Sequence, residues 1–228
     1  EGTAIGMGAS LAELFRRVVP DPARLAAIGA AAGFAGVFGT PLAAVVFVAE
    51  AGRVRSAETG ALAALAAVLA DAVARRLGAP HTEFPSVPLA VDLRTVAVGL
   101  AAGATAAGFV AAMRGMARLR ERFGATETVA VAGTLVAAAA FLLGTRAYHG
   151  LSVPLLAAAF AGGVPAGAFL AKAALTVLTV GGGFRGGEVT PLLVIGGTLG
   201  SAIARATGGP IASLTAGGMV AVYGAATG

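Results

Sequence analysis

The sequence has no cysteine and no tryptophan, only two histidines, and charged side chains on just 12% of its 228 residues. Without cysteine there are no disulfides or thiolate metal sites, and two histidines are too few for a histidine-rich metal centre, so no metal or other cofactor is expected. Aromatic residues make up 6% of the chain. A basic face interleaved with stacking rings, which nucleic-acid binding requires, is therefore missing, and no nucleic-acid partner is expected. The abundant residues are apolar ones, 57% of the total, and the mean hydropathy is +0.88. That lies well above what a water-soluble domain carries, so the chain reads as an integral, multi-pass membrane protein with the lipid bilayer as its first partner.

The net charge of +5 comes from 16 basic residues, all but Lys172 arginine, against 11 acidic ones. The arginines cluster between apolar runs, as at Arg114, Arg118, Arg120 and Arg122, and read as anchors at the membrane edge. The chain begins at Glu1, without Met, in a Gly-rich pattern and ends at Gly228 in another. An internal piece of a longer protein is the expectation.

A helix needs roughly 20 apolar residues to span the hydrocarbon. The candidate runs are Ala23 to Glu50, Gly60 to Val73, Leu89 to Met113, Val129 to Leu143, Val153 to Val180 and Thr190 to Ala204. Their lengths are uneven, and Gly39-Thr40-Pro41 and Gly162-Gly163-Val164-Pro165 interrupt two of them. Broken and re-entrant helices fit this pattern better than uniform spans. Arg53 to Glu58 and Gly78 to Asp92 read as aqueous connections. Gly115 to Glu127, the most charged connection, reads as a cytoplasmic loop.

The chain resembles itself. EGTAIGMGASLAELFRR (Glu1 to Arg17) lies over EVTPLLVIGGTLGSAIAR (Glu188 to Arg205), and GFAGVFGT (Gly33 to Thr40) over GMVAVYGA (Gly218 to Ala225), at offsets of 185 to 188. The expected organisation is thus two membrane repeats, 1–114 and 128–228, joined by a connecting loop at 115–127. Transporters built from inverted repeats place their substrate where broken helices meet.

GGGFRGGEVTPLL, Gly181 to Leu193, puts five glycines, an arginine, a glutamate and a threonine in the ten residues before a proline. Glycine permits a tight non-helical approach and proline suits the first helical turn, so a helix should begin at about Val189 or Thr190. The first amides of a helix lack intrahelical acceptors and carry partial positive charge, which suits a dehydrated anion. Glu188 and Glu1 stand at such helix starts. A carboxylate there occupies the anion site when ionised and vacates it when protonated, a route to exchanging protons for anions. Blander readings apply elsewhere: Gly6, Gly8, Gly29, Gly33 and Gly36 read as packing surfaces, Glu50 as a helix-end or ion-pairing group, and His149 as interfacial. Lys172, inside an apolar run, needs a partner or a water-filled path.

These motifs resemble the CLC family of chloride channels and anion/proton antiporters. Glu1-Gly2-Thr3 looks like the end of its G-[K/R]-E-G-P signature, with Thr3 in place of Pro. Ala30 to Glu50 is similar to the segment containing F-N-x-P-L-A-G and F-x-x-E, and Lys172 to Pro191 resembles the segment ending in G-x-F-x-P. The implied fold is an all-α inverted-repeat bundle of broken, tilted and re-entrant helices, of which this chain is a fragment. The Gly187-Glu188-Val189-Thr190-Pro191 form, with Val189 for Phe, is similar to the fluoride-exporting bacterial branch. What the resemblance implies is a homodimer in a bacterial inner or plasma membrane that moves small inorganic anions. Glu1 and Glu188 would gate and transfer protons, and Gly2, Thr3, Gly187, Val189 and Thr190 would bind the anion. The internal proton glutamate of the chloride antiporters would fall at Ala51, which favours fluoride/proton antiport or a voltage-gated-type chloride channel over a chloride/proton exchanger. An intramembrane enzyme is the outlying reading: Ser10, Ser152, Ser201 and Ser213 lack a nucleophile setting, and Asp71 and Asp92 stand apart.

Overall fold

The computed structural model describes residues 2–79, 81, 84–88 and 91–227, without the side chains of Gly2 and Thr3. Among the described residues every regular element is helical. The chain forms two compact units, Glu1–Glu83 and Phe84–Gly228.

In the first unit, α1 (Gly2–Ala12) leads through a short 3₁₀ turn to α2 (Pro22–Phe38), α3 (Pro41–Glu50) and α4 (Ala57–Arg76). Asp21 caps α2 by accepting from the amides of Ala23 and Arg24 at 2.9 and 3.3 Å, and Pro22 fills the first turn, where its missing N–H costs nothing. Gly39, at φ +67°, ends α2 in the left-handed conformation, and Pro41 opens α3. The expected break at Gly39-Thr40-Pro41 therefore falls where the sequence puts it. Ser56 caps α4 through the Thr59 amide at 3.1 Å, and Arg24 pairs with Glu58 between α2 and α4. The core is mostly alanine, Ala30, Ala31, Ala35, Ala44, Ala63 and Ala67, around Phe34, whose ring lies 4.5 Å from Phe38 and 5.1 Å from Phe47. Lipid is as apolar as a leucine side chain, so helix association there depends on close packing of small residues. Gly8 and Gly29 serve this role: a Cβ on either would run into the carbonyl of the other. Gly33 packs on Ala4, while Gly6 has open space around it and Gly36 makes only ordinary contact.

The second unit contains α5 (Leu93–Phe123), α6 (Ala125–Leu143), α7 (Val153–Phe160), α8 (Ala168–Thr176), α9 (Val189–Thr207) and α10 (Ile211–Thr227). Helix α9 is its centre; Leu192, Val194, Ile195, Gly196, Thr198 and Ser201 are all buried. The α9–α10 crossing repeats the α1–α2 device, with Gly196 and Gly218 each leaving no room for a Cβ on the other. Gly196 lies 188 residues after Gly8, and Gly218 189 after Gly29. Helices α7 and α8 are two short pieces separated at the expected Gly162-Gly163-Val164-Pro165 break. The carbonyls freed there find donors: Ser201 Oγ donates to Ala159 O at 2.8 Å and Arg205 Nη1 to Val164 O at 2.6 Å. Irregular backbone inside a membrane protein needs such partners, because lipid supplies none.

One expectation fails. The stretch 115–127 is not a loop: residues 115–123 complete α5, and 125–127 begin α6. Only Gly124, at φ +93°, interrupts the helix. Met, Ala, Arg, Leu and Glu are all strong helix formers, and 31 residues make a helix of about 46 Å, longer than the roughly 30 Å hydrocarbon thickness. The charged end is helix that has outrun its apolar length. Among the described residues four helices, α4, α5, α6 and α9, are long and apolar enough to cross a membrane.

Candidate functional site

The glycine-rich stretch joins two unlike helices. Helix α8 widens into a π-helical turn at Val177–Gly181, the chain continues through Gly182 to Gly187, and α9 starts at Val189 as its sequence requires. π turns widen the helix and are frequent at functional sites. Gly183 takes φ +113°, which a side chain would strain.

Glu188 is the N-cap residue of α9, but its side chain makes no capping bond and is exposed. The first intrahelical bond runs from Leu192 N to Glu188 O at 2.9 Å. The amides of Val189 and Thr190 therefore precede the helical ladder, and Pro191 contributes no N–H. Thr190 is buried and Gly187 and Val189 are partly buried, so the carboxylate, the hydroxyl and the first amides share one helix start. Such an end accommodates negative charge through N–H donors and the helix dipole.

Of the corresponding residues in the first unit, Glu1 lies outside the described residues. Gly2 and Thr3 lie in α1 as backbone. Glu50 ends α3 and is exposed, with no ion pair to Arg53 or Arg55 among the described residues. Ala51 is the C-cap of the same helix.

Beside the α9 start lies a cavity of about 340 Å³ that residue-by-residue reading missed. It is lined by Tyr148 and His149 from the α6–α7 connection, Lys172 and Thr176 from α8, and Arg185 and Gly187 from the glycine-rich turn. Lys172 is only 2% exposed, and its Nζ donates to the carbonyls of Gly150 at 2.6 Å and Tyr148 at 3.2 Å. The partner that an intramembrane lysine demands is thus backbone oxygen. The same connection is tied by His149 N to Arg146 O at 3.0 Å and by Ser152 Oγ to His149 O at 3.2 Å. Ser152, at φ 56°, holds a left-handed conformation just before α7. Both ring nitrogens of His149 are out of solvent contact and have no hydrogen-bond partner among the described residues. The signal that could have located the cavity was Lys172 itself, the single lysine in an apolar run.

A bundle of broken apolar helices, four of membrane-crossing length among the described residues, defines a class, the multi-pass membrane proteins. The match to known proteins narrows it: the voltage gated chloride channel family matches residues 1–228, and the chain belongs to that family. It is 35% identical over 242 residues to a "Chloride/fluoride channel protein" of Pseudomonas syringae pv. tomato (strain ATCC BAA-871 / DC3000), covering 98% of this chain and 54% of that protein. It also superposes on the crystal structure of a CLC-type fluoride/proton antiporter with TM-score 0.89 and 33% identity, over 99% of this chain and 60% of the other. The fold is thus the CLC-type all-α bundle, and the chain spans a little over half the length of these relatives.

Proposed function

We propose that the chain is part of a CLC-type fluoride/proton antiporter of a bacterial inner or plasma membrane, a transporter rather than an enzyme. The observation that carries this reading is Glu188 at the start of α9, uncapped by its own side chain, one turn with Thr190 and the first amides. A small, strongly hydrated anion needs donors to replace its water, and a helix start with a threonine hydroxyl offers them. Glu188 and Glu1 are the proton-handling groups, and Gly2, Thr3, Gly187, Val189 and Thr190 contribute the anion site. The repeats 1–114 and 128–228 put the two glutamates at equivalent places in the sequence, and two copies form a homodimer. The names of the relatives, a fluoride/proton antiporter and a chloride/fluoride channel, agree with this substrate class.

A chloride channel is the second reading, favoured by Ala51 where a chloride/proton exchanger of this family would carry its internal acid. With the full-length protein in liposomes, an inward fluoride gradient should drive protons outward, and Glu1→Gln should abolish that coupling. Equal fluoride and chloride flux without proton movement would establish the channel instead. Proton movement driven equally by chloride would point to the exchanger.

A further inference from the structure

Where α5 gives way to α6 at Gly124, a groove of about 520 Å³ opens on the second unit. Its walls are Met116, Leu119 and Phe123 from α5 and Val131, Ala132 and Leu135 from α6. Leu119, Phe123, Val131 and Leu135 are between 43% and 60% exposed, so the described residues leave this apolar wall uncovered. Two polar residues also line it, and neither offers a donor to a guest. Thr128 Oγ1 gives its proton to the Gly124 carbonyl at 2.7 Å, and the Glu127 carboxylate lies against Gly124 in the first turn of α6, where the helix dipole favours it.

The cations stand at the mouth. At about 100° per residue, Met116, Leu119 and Phe123 form one stripe of α5, Arg120 and Arg122 lie about a quarter turn to either side of it, and Arg114, Arg118 and Glu121 lie on the far side. Arg122 Cζ sits 5.3 Å from the centre of the Phe123 ring. Arg120 Nε lies 3.5 Å from where a Cβ on Gly183 would stand. Neither guanidinium has an ion pair or a hydrogen-bond acceptor among the described residues. The two outnumber the Glu127 carboxylate, so the mouth is positive while the walls are apolar.

We propose that this groove binds an anionic phospholipid, with its phosphate on Arg120 and Arg122 and an acyl chain along Leu119, Val131 and Leu135. Guanidinium forks match phosphate oxygens, and basic pockets between membrane helices select anionic headgroups. Free phosphate would leave the walls bare, and a neutral lipid would leave the charge unanswered. The same walls seat the glycine-rich turn from the other side: a Cβ on Gly181 would come within 2.9 Å of Met116 Cβ, and one on Gly182 within 2.6 Å of Ala132 Cβ. The bound chain therefore buttresses the turn that leads to Glu188.

The lipid site stands apart from the anion-transport reading, because binding is measured without transport. Native mass spectrometry of the full-length protein in detergent, titrated with phosphatidylglycerol, reads the affinity of the tightest-bound lipid. Arg120→Gln combined with Arg122→Gln should weaken it about twentyfold or more, since each arginine near a membrane surface contributes about fivefold toward anionic lipid. Val131→Trp fills the groove without changing a charge and should displace the same lipid. Arg118→Gln, on the far side of α5, should leave it in place. An equal loss in Arg118→Gln would show diffuse surface attraction and overturn the groove, as would native binding in Val131→Trp or equal affinity for phosphatidylethanolamine. A groove covered in the full-length protein by another segment or by a second copy gives no arginine-dependent lipid, which also overturns it. Hydrogen exchange at the Gly182 to Gly187 amides should slow in phosphatidylglycerol nanodiscs relative to phosphatidylethanolamine ones, and unchanged exchange with lipid bound overturns the buttress alone.

Discussion

Gly196 on α9 and Gly218 on α10 meet backbone to backbone, and a Cβ on either would be driven into the carbonyl of the other. Because lipid tails solvate apolar side chains as well as a protein interior does, this closeness, rather than exclusion from water, holds the two helices together. Gly196→Ala or Gly218→Ala should therefore destabilise the second unit by about 1–3 kcal/mol, the usual cost of overpacking. Thermal unfolding in detergent should show a clearly lower midpoint. Gly217→Ala is the control, since nothing lies within 4 Å of its added methyl; an equal loss there would refute the contact argument.

What the sequence made legible follows from how locally each signal acts. The breaks at Gly39-Thr40-Pro41 and Gly162-Gly163-Val164-Pro165 and the helix start at Val189 are written in adjacent residues, because proline removes a donor and glycine admits a left-handed turn. Charge misled at 115–127, where Arg118, Arg120 and Arg122 look like a loop by composition although each is a good helix former. The cavity was invisible because Lys172 and the carbonyl of Tyr148 are 24 residues apart, and nothing local marks the α6–α7 connection as lying over α8. The π turn at Val177–Gly181 was equally hidden, its residues being as compatible with an ordinary helix.

Ser201 and Thr215 converge on one acceptor. Ser201 Oγ donates to Ala159 O at 2.8 Å, and Thr215 Oγ1 reaches the same oxygen at 3.4 Å, at the end of the short helix α7. Ser201→Ala should cost about 0.5–1.5 kcal/mol, and because the Gly162 N–H also donates to this oxygen at 3.0 Å, adding Thr215→Val should cost no more than the sum of the two single changes. A double-mutant cycle on thermal stability checks this, and a double mutant that loses much more than that sum would show that the carbonyl depends on the two hydroxyls alone.

Asp92 caps α5 in a reciprocal box with Thr95, accepting from its amide at 2.9 Å. That backbone bond is the main reason its carboxyl is held below the ordinary aspartate range, with the Thr95 hydroxyl and Arg94 assisting and desolvation opposing. A group whose folded pKa is depressed gives its stability above the unfolded value and loses it as pH falls through the folded one. The α5 start should therefore loosen below the ordinary value of about 3.9. Hydrogen exchange at the Thr95 and Val96 amides should speed up in the native protein relative to Asp92→Asn as pH drops through that range, because asparagine caps without titrating. Parallel exchange in the two proteins at every pH would remove the carboxylate from the account.

The strongest discrimination lies at the α9 start, where two groups at neighbouring positions are asked to do different work. Glu188→Gln preserves size and hydrogen bonding but removes the titrating group. In liposomes holding the full-length protein it should cut proton movement per fluoride by about tenfold or more while leaving fluoride flux measurable. Thr190→Val preserves shape but removes a hydroxyl, so it should raise the half-saturating fluoride concentration by about tenfold with the proton ratio intact, and Thr190→Ser should restore it. Chloride offers an internal comparison, because a larger and more weakly hydrated anion depends less on that hydroxyl, and Thr190→Val should narrow the preference for fluoride over chloride. If both variants changed affinity and coupling in the same proportion, the start of α9 would be acting only as a scaffold, and the separate roles of the carboxylate and the hydroxyl would have to be abandoned.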